Sequence, residues 1–132
     1  MVANHNHKEV LLVDDDPDYS ELTRTRLEAA GYQVAYASNG REALKLLDGQ
    51  WRPHLIIMDV DMPDSNGLTT LINLNARRIQ RNNTECQVPV VVATGLQSEQ
   101  VREIMMVQNI SGYLKKPYSS EELLGTVRSL IG

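Results

Sequence analysis

Three consecutive carboxylates, Asp14-Asp15-Asp16, stand directly after the apolar run Val10–Val13. A second acid, Asp59, ends the apolar run Leu55–Met58, and Asp61 follows two residues on. Thr94-Gly95 closes the run Val88–Ala93, and Lys115-Lys116-Pro117 lies just past the short run Gly112–Leu114. Short apolar runs bounded by turn residues read as buried strands, so these acids, the hydroxyl and the ammonium all fall at strand ends. Two like charges about 4 Å apart repel by roughly 4 kcal/mol at an effective dielectric near 20. Carboxylates gathered in this way either take up protons or collect a cation. A hard divalent ion with oxygen ligands suits them, and Mg²⁺, with Mn²⁺ as a substitute, matches a site of few carboxylates, several waters and an incoming phosphate. A carboxylate beside such an ion and a lysine is also an arrangement for phosphoryl transfer: the cations neutralise the equatorial oxygens while the carboxylate attacks. Each residue taken singly reads equally well as a helix cap or a solvated loop, and Asp16 before Pro17 has the form of an N-cap. Acids at two strand ends and nowhere else in the sheet favour a common site.

The elements that must position these groups alternate along the chain. Strands are expected at Val10–Val13, Gln33–Ala37, His54–Met58, Val88–Ala93 and Gly112–Leu114. A helix is expected from about Pro17 to Ala30, with Tyr19, Leu22, Leu27 and Ala30 as its apolar positions and Gly31 as its stop. "SNGREALKLL" opens a second, burying Ala43, Leu44 and Leu47. Leu68, Leu71, Ile72, Ala76 and Ile79 keep helical spacing, "NNTECQ" is a polar loop, and Ser98–Gln108 is a fourth helix. On a helical wheel Val101, Ile104 and Met105 share the core face of that fourth helix, while Met106 points outward. Ser119-Ser120-Glu121-Glu122 has the form of a capping box before a last helix with Leu123, Leu124, Val127, Leu130 and Ile131 inside. Five near-continuously apolar strands separated by five helices imply an α/β fold, a doubly wound parallel sheet covered on both faces. In such sheets ligands bind beyond the carboxyl ends of the strands, at the point where strand order reverses.

Composition bounds the function. At 132 residues the chain has room for one core. Its 13 basic and 17 acidic residues give a net charge of −4 with no basic stripe, which argues against direct nucleic-acid binding. No apolar stretch approaches the roughly 18 residues of a membrane span, and "MVANHNHKEV" lacks the apolar core of a signal peptide. With Cys86 alone no intrachain disulfide forms, so a reduced, cytoplasmic protein is the expectation. His5 and His7 read as part of a flexible polar tail, residues 1–8, rather than as a metal site. The two N-x-[ST] patterns, at Asn82 and Asn109, read as chance in the absence of a secretion signal.

The motifs "LLVDDDPD", "GYQVAYASNGREAL", "PHLIIMDVDMPDSNGL", "VPVVVATG" and "GYLKKPYSSEEL" together resemble the receiver domain of two-component response regulators, from Val10 to Ile131. The resemblance implies a flavodoxin-like, five-stranded sheet of order 2-1-3-4-5 with five helices in a three-layer sandwich, filling residues 9–132 with no effector domain in this chain. It implies that Asp59 accepts a phosphoryl group from a sensor histidine kinase or phosphotransfer protein, and that the domain catalyses only its own phosphorylation and dephosphorylation. Asp15 and Asp59 would bind Mg²⁺ directly, Asp14 through water, and the backbone carbonyl of Asp61 would complete the protein ligands. Thr94 and Lys116 would hold phosphoryl oxygens, the Lys116–Pro117 peptide would be cis, and Tyr113 would reorient when Thr94 is drawn toward the phosphate. The surface of the fourth helix, fifth strand and fifth helix, with Met106 on it, would then change its affinity for a second copy or a separate effector.

The sequence departs from that pattern at three places. Asp61 is acidic where the family more often has a neutral side chain, a charge expected to repel the phosphoryl group or to alter its hydrolysis. The stretch from Gly67 to Val88 is a few residues longer than usual, and "QNISG" replaces the usual Gly-Ala turn before the fifth strand. Two other classes compete. Asp59-Val60-Asp61 also matches the nucleophile motif of haloacid-dehalogenase-type phosphatases, but those place their paired acids last in the chain, whereas here they come first. A non-phosphorylated interaction module of the same fold would lack one of the acids, the threonine or the lysine, and all are present.

Overall fold

Where the apolar runs stand, the chain forms strands, and all five pair side by side in parallel. In the computed structural model the described residues are 8–49, 51–60, 73, 88–95 and 110–132. The strands are β1 (Glu9–Val13), β2 (Gln33–Ala37), β3 (Leu55–Asp59), β4 (Val90–Thr94) and β5 (Gly112–Lys115). Their order in the sheet is β2-β1-β3-β4-β5, so the order reverses between β1 and β3. Val13 lies beside Met58, Asp59 beside Ala93 and Thr94 beside Lys115, which brings the carboxyl ends of the four strands to one edge. Central β3 and β4 are buried along their whole length, whereas β2 at the margin is mostly exposed or half-buried. This gradient is what a parallel sheet covered on both faces requires.

Three helices lie among the described residues: α1 (Pro17–Ala29), α2 (Gly40–Leu47) and α3 (Ser120–Ile131). Alternation along the strands divides the core in two. One face, with Val10, Leu12, Leu55, Ile57, Val91, Ala93 and Leu114, packs with Leu27 of α1 and with Leu123 and Val127 of α3. The other, with Leu11, Val13, Ile56, Met58, Val90 and Val92, packs with Ala43 and Leu47 of α2. The capping box at Ser119 is present, with the Ser119 side chain accepting from the Glu122 N–H and the Glu122 carboxylate accepting from the Ser119 N–H. Gly31, at φ +99°, ends α1: its N–H donates to Glu28 and the Tyr32 N–H to Leu27, the paired bonds of a left-handed helix stop.

Some expectations need correction. Asp59 is the last residue of β3, not the first after it, because the ladder continues through the Val60 N–H to the Ala93 carbonyl at 3.2 Å. The inner stripe of α1 is Ser20, Thr23 and Leu27, while Leu22 and Ala30 are exposed. Two hydroxyls occupy positions that an apolar count assigns elsewhere. Ser20 Oγ donates to the Pro17 carbonyl, and Thr23 Oγ1 bonds the Tyr118 hydroxyl at 3.0 Å, so neither is buried without a partner. The expected helices around Leu68–Ile79 and Ser98–Gln108, together with Asp61 and Met106, lie outside the described residues, apart from a helical Asn73.

Candidate functional site

Strand period decides which side of the sheet each candidate serves. Asp59 follows Leu55 and Ile57 onto the α1/α3 face, and Asp14 continues the alternation of Val10 and Leu12 onto it. Thr94 follows Val90 and Val92 onto the α2 face, and the half-buried Tyr113, beside Val92, belongs to that face too. The carboxylates therefore approach the sheet edge from one side and the hydroxyl from the other.

At that edge Asp14, Asp59 and Thr94 are 2%, 3% and 0% exposed, whereas Asp15 is exposed. Lys116, just past β5, donates to Asp14 Oδ2 at 3.1 Å and to Asp59 Oδ2 at 3.0 Å. Burying two carboxylates is costly unless each is paired and hydrogen-bonded, and one ammonium does this for both. Burial alone would disfavour the Lys116 ammonium, but the charges of Asp14 and Asp59 and the bonds to them outweigh it, holding its pKa above the ordinary lysine value. The Lys116 N–H donates to the Thr94 carbonyl at 2.8 Å, and the Lys116–Pro117 peptide is cis, as the resemblance implied.

Asp14 is fixed from several directions. Its Oδ1 accepts the Asp16 N–H at 2.9 Å, its N–H donates to the Ala37 carbonyl at 3.1 Å, and its carbonyl accepts the Tyr36 hydroxyl at 2.6 Å. Asp16 caps α1, accepting from the N–H groups of Asp18 and Tyr19, and so belongs to the helix rather than to the pocket. One carboxylate oxygen each from Asp14, Asp15 and Asp59 lies within 4.8 Å of the others. Three carboxylates facing one ammonium leave an all-oxygen donor set with surplus negative charge, which fits a hard divalent cation.

Three residues that position the site were not singled out from the sequence. Tyr36 braces the Asp14 carbonyl; Tyr19, counted only as an apolar helix position, lies under Lys116; and Tyr118 packs edge-on against Tyr19, with ring centroids 5.3 Å apart and planes at 83°. Burial pushes the Tyr118 phenol up to about 12, against the opposing bond from Thr23. For two of them the sequence signal is nearness to an acid or to Lys116, since Tyr19 stands three residues after Asp16 and Tyr118 two after Lys116; Tyr36, 22 residues from Asp14, has none.

Comparison with known proteins places this arrangement. The sequence model of the response regulator receiver domain matches residues 10–128. The chain is 34% identical over 122 residues to the Escherichia coli transcriptional regulatory protein CpxR and, equally, to the Synechocystis DNA-binding dual master transcriptional regulator RpaA. Both alignments cover 92% of this chain and 48% of the relative, so the chain spans about half the length of these relatives. Among solved structures, the Vibrio cholerae chemotaxis protein CheY4 superposes with a TM-score of 0.80 at 31% identity, covering 94% of this chain and 98% of that one. The receiver domain of the Pseudomonas aeruginosa sensor histidine kinase PA1611, with a magnesium ion coordinated in its active site cleft, superposes with a TM-score of 0.81 at 26% identity over 96% and 98% of the two chains. These matches favour the receiver reading and lend nothing to the phosphatase alternative.

Proposed function

The chain belongs to the receiver-domain family of two-component response regulators, phosphoacceptor modules of signal transduction, and from that premise we propose that Asp59 is the phosphoacceptor. The observation that carries the assignment is its geometry: a carboxylate 3% exposed at the end of β3, hydrogen-bonded to Lys116 Nζ and grouped with Asp14 and Asp15. In the reaction a carboxylate oxygen of Asp59 forms the new O–P bond, the P–N bond of a kinase phosphohistidine breaks, and the imidazole leaves with the electron pair. Lys116 Nζ moves from Asp59 Oδ2 onto a phosphoryl oxygen, and the Thr94 hydroxyl takes another from the opposite face of the sheet. Asp59 is almost fully buried while Asp15 opens the cluster to solvent, so these charge-assisted bonds are stronger than in bulk water yet remain reachable by an incoming phosphoryl group.

Asp15 and Asp59 would hold Mg²⁺ directly and Asp14 through water, with the Asp61 carbonyl, outside the described residues, as the remaining protein ligand. When bound, the ion supplies positive charge for the equatorial phosphoryl oxygens. The domain, residues 9–132, catalyses only its own phosphorylation and dephosphorylation; of the expected tail only Lys8 lies among the described residues, and its carbonyl accepts the Gln33 N–H at 2.9 Å. Thr94 and Tyr113, on one face of the sheet, carry the change to the output surface that includes Met106. A sensor histidine kinase or phosphotransfer protein supplies the phosphoryl group, and a second copy or an effector reads the result. Among the described residues no helix is long and apolar enough to cross a membrane.

Acetyl phosphate with Mg²⁺ tests this reading. Wild type should take up a single acid-stable, base-labile phosphoryl group and Asp59→Asn none. Mass spectrometry finding the phosphoryl group of wild type on any residue but Asp59 sinks the assignment.

A further inference from the structure

We propose that Tyr19 is a positioning residue for Lys116, holding its ammonium where it serves both Asp14 and Asp59; the consequence for phosphoryl transfer rests on the phosphoacceptor reading above. An ammonium has three N–H donors on a flexible four-carbon stem. Here it donates to two carboxylates, at 3.1 and 3.0 Å, and it sits 4.6 Å from the centre of the Tyr19 ring. The electron-rich face of an aromatic ring attracts a cation at this distance, more strongly where water is excluded. The ring thus closes the side that the carboxylates leave open.

Tyr19 is itself held from both ends. Its backbone N–H donates to the Asp16 cap at 3.2 Å, which ties it to the first turn of α1 beside the acidic loop. Its hydroxyl accepts the Tyr118 N–H at 3.2 Å, and its ring meets the Tyr118 ring edge-on. Tyr118 is in turn fixed by the buried bond to Thr23. A ring anchored this way cannot follow the lysine. Lys116 therefore slides across a fixed platform as it exchanges a carboxylate for a phosphoryl oxygen, and little of its orientation must be found during the reaction.

Two substitutions separate this role from mere packing. Tyr19→Phe keeps the ring and loses the anchor to Tyr118; Tyr19→Leu keeps apolar bulk and loses the aromatic face. With acetyl phosphate and Mg²⁺, where Asp59 gains the O–P bond and acetate departs, Phe should stay within about twofold of the wild-type rate and Leu should fall roughly tenfold. In side-chain NMR of lysine-labelled protein, the ring should shift the Lys116 Cε protons upfield in wild type and Phe, and the shift should vanish in Leu. A Leu variant that loses stability yet keeps the wild-type rate and the Lys116 signal would overturn the proposal, as would a Phe variant that falls as far as Leu. If wild type took up no phosphate, the phosphoacceptor reading would fail, and the Lys116 shift in wild type and the Phe variant would still decide whether Tyr19 positions the lysine.

Discussion

Lys116→Met removes one charge and leaves a side chain of similar length to cover Tyr19, so it isolates what the ammonium does for the folded state. In wild type that ammonium, with a side chain 16% exposed, stands 3.1 and 3.0 Å from carboxylates that are 2% and 3% exposed. Removing one member of a buried ion pair costs about 3–5 kcal/mol, because the other charge is left without a partner. Asp15 opens this cluster to solvent, so the lower end applies: about 3 kcal/mol, or roughly 10 °C in Tm for a domain of this size. The pKa of Lys116 is raised on folding, so its contribution is fully present below the ordinary lysine value of 10.5 and is lost only as pH rises above it. The deficit should therefore be flat across the neutral and mildly alkaline range. Thermal melts in chelator should show the full gap, and saturating Mg²⁺ should narrow it, since the ion takes over the neutralising charge. Equal Tm for variant and wild type in chelator would refute the argument that the ammonium offsets two buried carboxylates.

Asp15→Ala should weaken Mg²⁺ or Mn²⁺ binding at least tenfold, the equivalent of about 1.4 kcal/mol, and leave the fold intact; unchanged titration shifts at Asp14 and Asp59 would contradict the metal assignment. Tyr118 has its pKa raised to about 12, so the stability it contributes is complete below about pH 10 and fades as pH climbs toward 12, by an amount on the order of 3 kcal/mol. Tyr118→Phe should cost about 1–2 kcal/mol near neutrality, with Thr23 left unpartnered, and should flatten that alkaline slope in denaturant melts. Met106→Glu should weaken beryllofluoride-dependent association, with a second copy or an effector, while sparing phosphorylation of Asp59; an unchanged complex on sizing would move the output face elsewhere.

The carboxylates and Lys116 were legible because chemistry and position coincide: each interrupts or follows an apolar run, and an open parallel sheet collects strand ends at one edge. Strand limits were legible only where side-chain polarity tracks backbone pairing. For β2 the two agree from Gln33 to Ala37. At β4 the apolar run begins with Val88, but Pro89 has no N–H to give, and pairing starts at Val90. Asp59 belongs to β3 because the ladder ignores what the side chain carries. The inner face of α1 was misread for the opposite reason. Ser20 and Thr23 count as polar in any periodicity, and their burial depends on partners far off in the chain; Tyr118 lies 95 residues beyond Thr23. Tyr19 and Tyr36 passed for ordinary apolar or margin positions, since a phenol's partner cannot be read from its neighbours in sequence.

The Thr23–Tyr118 bond also bears on how this chain can evolve. Losing either hydroxyl strands the other in the core, whereas replacing both with apolar groups of similar shape is close to neutral. The two positions are thus separated from a fully apolar pairing by a destabilised single step in either order. Relatives carrying phenylalanine at the position of Tyr118 should carry an aliphatic residue at the position of Thr23. A lineage that holds both hydroxyls should keep them together, and with them the anchor on which Tyr19 rests.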